Sequence, residues 1–163
     1  MFVDLATLVT LHTLLSFVAI GAGFVAVAGL FAPRVPAWWT LVFLAAAVLT
    51  SLTGFLFPFN GVLPSHVVGL VALVVLALVL LARYRFEMMG SWRWVYGVGL
   101  VASLYFLVLV AIVQAFMKVA PLNALAPNGS EWPFVATQLA ALAVCAWLGW
   151  RAARSGLGDR LAR

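Results

Sequence analysis

Five long apolar stretches, at residues 5–31, 38–57, 65–82, 94–117 and 133–150, decide what this chain can become. Each is close to the ~17–25 residues that carry a helix across ~30 Å of hydrocarbon. A soluble core could not absorb that much apolar surface in 163 residues that are 67% hydrophobic and 8% charged, with a mean hydropathy of +1.21. In lipid the backbone has no water to bond, so each stretch must satisfy its own amides as a helix. The expected fold is an all-α membrane protein, one five-helix transmembrane domain over residues 1–163.

The charges give this bundle a direction. Of the nine Lys and Arg residues, Arg34, Arg83, Arg85, Arg93, Arg151, Arg154, Arg160 and Arg163 flank one face, and Lys118 alone flanks the other. The positive-inside rule then predicts an N-terminus outside and a C-terminus in the cytoplasm. Trp38, Trp39, Trp92, Trp94, Trp147 and Trp150 fall near the cytoplasmic interface and Trp132 near the outer one, as interfacial aromatics should. A sequence pI near 10.4 would suggest nucleic acid in a soluble protein. Here the basic residues are helix flanks, so the expected partners are membrane lipids with anionic headgroups and not nucleic acid.

Met1 to Asp4 lack a positive leading region, and residues 5–31 are too long for a signal-peptide core, so the first helix is expected to be retained. Cys145 is the single cysteine, which excludes an intrachain disulfide and chemistry that needs a thiol pair. Pro33 and Pro36 end the first helix. The uncharged 57–64 segment is expected to sink into the interface or fold back over the bundle as a plug, and 119–132, with Pro121, Pro127 and Asn128-Gly129, reads as turns that lie over the outer face. No internal repeat supports an inverted-repeat transporter.

Polar residues are one-sided. His12, Thr13, Ser16, Thr50, Ser51, Thr53, His66, Gln114, Lys118, Thr137 and Gln138 lie in the outer half, with Glu131 at its rim. Such groups are costly in hydrocarbon and should face the bundle interior or an aqueous pocket, so a cavity opening outward is expected. Helical spacing lets them converge: His12 and Ser16 are i,i+4 on a stripe with Ala19 and Gly23, Gln114 and Lys118 are i,i+4 on the face of Ser103, and Glu131 and Gln138 are seven apart. The small pairs Ala19-x-x-x-Gly23 and Ala22-x-x-x-Ala26 suit close helix packing. Threonines in such helices mostly bond their own backbone. Gln114 and Lys118 are expected to face inward, within reach of His12 and Gln138.

The expected ligand-binding set is therefore His12, Ser16, His66, Gln114, Lys118, Glu131 and Gln138. His12 and His66 are the metal-ligating candidates. They could hold one haem b iron or another metal only if the 57–64 segment dips inward, because His12 starts about 10 Å deeper in its helix. Otherwise they are structural.

The stretches Leu11-His12-Thr13-Leu14-Leu15-Ser16-Phe17, Thr50-Ser51-Leu52-Thr53-Gly54-Phe55, Gly90-Ser91-Trp92-Arg93-Trp94-Val95-Tyr96, Val113-Gln114-Ala115-Phe116-Met117-Lys118 and Leu125-Ala126-Pro127 resemble a family of small uncharacterised bacterial integral membrane proteins. The resemblance spans most of the chain and implies a multi-pass protein of the bacterial inner membrane. It implies no activity or cofactor.

The leading functional expectation is an outward-facing polar pocket for haem, a quinone or a small polar solute. The alternatives are an accessory or assembly subunit, working as a homo-oligomer or within a larger membrane complex, and a small transporter or channel. The last would need polar groups through the cytoplasmic half as well. With four carboxylates in all, of which Asp4 and Glu131 lie outside, the chain offers no convergent catalytic set, and an enzyme is not expected.

Overall fold

The computed structural model describes residues 4–32, 37–57 and 64–154. Its helices are α1 (Leu5–Gly29), α2 (Ala37–Gly54), α3 (Pro64–Leu80), α4 (Trp92–Lys118), α5 (Ala120–Leu125) and α6 (Trp132–Arg154). Five helical segments, all except α5, are long and apolar enough to cross a membrane. The chain is a helical multi-pass membrane protein by that measure, and the five expected spans are the five found.

Local chemistry sets the helix ends. Asp4 lies in extended backbone and its carboxylate accepts the Thr7 amide at 3.3 Å, capping α1. These hydrogen bonds hold the Asp4 carboxyl below the ordinary carboxylate range. Pro121 sits in the first turn of α5, where its missing amide costs nothing. The expectation of turns over 119–132 holds in part: the short α5 occupies its start, and Gly129, at φ 66°, makes the Asn-Gly turn. The third span runs further than expected, because a π-helical turn, Leu81–Arg85, extends α3. Arg83 there donates to the Tyr96 hydroxyl at 2.8 Å, tying this turn to α4, and Phe86 stacks on Trp92 at 3.9 Å. The polar connection between these helices is thus held by aromatic contacts. The residues 58–63 of the expected plug lie outside the described residues.

The helices α1, α2, α3 and α4 close a ring in which each packs on the next and α4 returns to α1, while α6 packs chiefly along α4. Water is not the driving force for such packing in lipid, so close fit must supply it. The fit is tight where the small residues predicted it. Ala19, Ala22 and Ala26 are buried, and a Cβ on Gly23 would meet Leu104 and Phe43 carbons at 2.8 Å. On the other flank, a Cβ on Gly99 would meet a Val79 methyl at 2.6 Å. Phe43, Leu44, Val79, Leu100, Val101 and Leu104 fill the centre.

This core is lopsided. It runs from the middle of the bundle to the arginine-bearing end, where Leu30, Ala82, Tyr96 and Ala152 are buried. Toward the other end burial thins: Leu8, Thr50, Phe116 and Ala126 are buried there, while residues 9–18 of α1 and 105–115 of α4 contain no buried position. The helix faces that interlock at one end are only partly covered at the other.

Candidate functional site at the arginine-free end

The polar residues continue the core-facing stripes into this partly covered region. His12 and Ser16 lie on the stripe of buried Ala19 and Gly23, and both are half-buried. Thr50 and Thr53 prolong the buried face of α2. Gln114 lies eleven residues beyond buried Ser103, and Lys118 fourteen beyond buried Leu104, spacings that return to nearly the same face of a helix.

His12 is the best-defined member. Its Nδ1 lies 2.9 Å from the Thr53 hydroxyl, joining α1 to α2. The Thr53 proton is directed to the Leu49 carbonyl at 2.8 Å, with the Thr50 carbonyl at 3.1 Å. The hydroxyl oxygen must therefore accept from His12, so Nδ1 carries the ring proton and Nε2 presents its lone pair. Among the described residues Nε2 has no hydrogen-bond partner. The ring meets Phe57 edge-on at 5.3 Å, and Gly54 approaches Cε1, with room for a Cβ at 3.7 Å.

One further polar atom is orphaned nearby in the sequence of α2. The Thr50 hydroxyl is buried and unpartnered among the described residues, one turn from Thr53. A hydroxyl so placed in hydrocarbon costs a few kcal/mol unless a water or a ligand bonds it.

The other expected site residues are dispersed. Ser16 donates to the His12 carbonyl at 2.8 Å, as Thr10 and Thr13 do to their own helix, so its proton is not offered to a ligand. Gln138 donates to the Leu109 carbonyl at 3.2 Å, binding α6 to α4, and its buried Oε1 lacks a partner among the described residues. Glu131 is engaged by the turn before α6: the Asn128 amide at 3.1 Å, the Asn128 side chain at 2.8 Å and the Ser130 amide at 3.0 Å all donate to it. Partial desolvation pushes this carboxyl up, and the hydrogen bonds outweigh it, leaving it below the ordinary range. His66 lies in the first turn of α3 beside Phe55, ring centroids 5.9 Å apart, while His12 is held by Thr53 and Phe57.

Gln114 and Lys118, expected to face inward, are both exposed. Residues 105–113 and 115 ahead of and between them are only partly buried, so their stripe is incompletely covered at this end. Gln114 makes no hydrogen bond to His12 or Gln138 among the described residues. No group of three or more His, Cys, Asp or Glu residues able to hold a metal occurs among the described residues, so a metal at His12 would need ligands of its own, as haem has. Sequence reasoning missed Thr53 as the partner that fixes the His12 tautomer, although its i,i+3 spacing from Thr50 was visible.

Compared with known proteins, the chain matches no family model, no curated protein and no solved structure.

Proposed function

We propose that this is a bacterial inner-membrane protein, N-terminus outside and C-terminus cytoplasmic, that binds a ligand in an outward-opening crevice between α1, α2 and α4. The orientation rests on the eight-to-one arginine and lysine asymmetry. The inner-membrane location rests on the family resemblance.

The observation that carries the reading is the bare Nε2 of His12. An imidazole whose Nδ1–H is pinned keeps its Nε2 lone pair as a donor to a metal or as an acceptor from a ligand proton. Lys118 adds a cation that suits an anionic group. Ferric haem b offers both an iron for Nε2 and propionates for Lys118, and a quinol offers a hydroxyl to Nε2.

Wild type and His12→Ala, purified in mild detergent, are titrated with ferric haem b and with a short-chain ubiquinol. The reading expects saturable binding of one of them to wild type and at least about tenfold weaker binding to the variant. Binding of neither, or equal binding by both proteins, would overturn it. The second reading, an accessory or assembly subunit, is favoured by α6, which packs chiefly on α4 and exposes Leu139, Leu142, Val144, Trp147 and Trp150.

A further inference from the structure

An apolar groove of about 300 Å³ runs between α4 and α6, walled by Val98, Val101 and Tyr105 on one side and Leu142, Ala146 and Trp150 on the other. Along α6 its lining extends from Leu142 to Ala153, eleven residues, or about 16 Å at ~1.5 Å per residue. That is close to half of the ~30 Å hydrocarbon core, the depth of one leaflet. Its arginine-bearing end is marked chemically. Arg154 follows the last lining residue and stacks its guanidinium 4.4 Å from the Trp150 ring centre. Stacking uses the face of the guanidinium and leaves its edge N–H groups free for a phosphate. On α4, Trp94 stands one turn before Val98, with Arg93 beside it. Glu87 is the one carboxylate among the described residues of this end.

We infer that this groove holds one anionic phospholipid of the leaflet at the arginine-bearing end, its acyl chain between α4 and α6 and its phosphate on Arg154. The match of groove length to leaflet depth favours a lipid chain, and the excess of arginines over carboxylates at this end favours an anionic headgroup. A general surface attraction would need Arg154 and no groove. A second copy of the chain would need the groove and no phosphate.

Native mass spectrometry of the full chain, with dioleoylphosphatidylglycerol or dioleoylphosphatidylcholine added in mild detergent, separates these. Wild type should retain phosphatidylglycerol about fivefold better than phosphatidylcholine, and Arg154→Gln should remove that preference without lowering phosphatidylcholine retention. Gly149→Leu should lower retention of both lipids, since Gly149 lines the groove and a Cβ there meets nothing within 4 Å, so a larger side chain enters the groove. Arg154 is exposed, so its substitution leaves packing intact. Equal retention of the two lipids by wild type, or retention unchanged in Gly149→Leu, would overturn the inference. So would a dimer of the chain closing over Trp150.

Discussion

Gly21 and Gly23 stand two residues apart on α1, and the fold assigns them opposite responses to one added methyl group. At Gly21 a Cβ would meet nothing within 4 Å, so Gly21→Ala brings only the helix-propensity gain of up to about 1 kcal/mol. At Gly23 the same atom would lie 2.8 Å from Leu104 Cδ1, 2.8 Å from Phe43 Cε2 and 3.0 Å from Phe43 Cδ2. Neither neighbour can move freely, because Phe43 is 0% and Leu104 2% exposed. Overpacking of this kind costs about 1–3 kcal/mol, against the same propensity gain. Gly23→Ala should therefore be about 1–3 kcal/mol less stable than Gly21→Ala, with the shared gain cancelling between them. Thermal or denaturant unfolding in mild detergent, followed by tryptophan fluorescence, measures the difference. Equal stabilities, or a more stable Gly23→Ala, would refute the α1, α2 and α4 contact that organises the core.

Two further predictions concern the polar groups. Thr53→Val keeps the shape and removes the acceptor for His12 Nδ1, so it should lower stability by about 0.6 kcal/mol and at most about 1.7, and allow the ring proton to move to Nε2. Nitrogen NMR of labelled histidine reads the tautomer; an unchanged Nδ1–H tautomer in the variant would contradict the assignment. For Glu131, whose pKa is depressed in the folded state, the stabilisation of the 128–130 turn is present above the unfolded pKa and lost as pH falls through the folded one. Fluorescence of neighbouring Trp132, which is exposed, should therefore change only below the ordinary glutamate pKa of about 4.3, and Glu131→Gln should abolish the change. A midpoint at or above that value would count against the turn.

The spans were legible in the sequence because apolar length alone determines a membrane helix, and the packing stripe was legible because alanine and glycine at i,i+4 have few other uses. The self-bonding of Thr10, Thr13 and Ser103 followed from the chemistry of short hydroxyl side chains. Less could be read of the candidate site. Spacing places Gln114 on the face of Ser103, and it cannot tell whether another helix covers that face one end further on. The pairing of His12 with Thr53, forty-one residues away, depends on how α1 and α2 cross, and the capture of Glu131 by Asn128 depends on a turn. Helical periodicity carries neither fact. The continuation of α3 through the π turn was hidden for a similar reason, because Arg83 and Arg85 look like a helix flank until Tyr96 supplies a partner.

The central claim is that the core-facing stripe of α4 is closed at Ser103 and open at Gln114. In a Cys145→Ala background, single cysteines at these two positions can be challenged with a membrane-impermeant maleimide added to one side of sealed vesicles. The account predicts that Gln114→Cys is modified from the side opposite the arginines, and that Ser103→Cys, 2% exposed and three turns along the same face, is not modified from either side. Modification of Gln114→Cys from the arginine side, protection of both positions, or equal modification of both would contradict it.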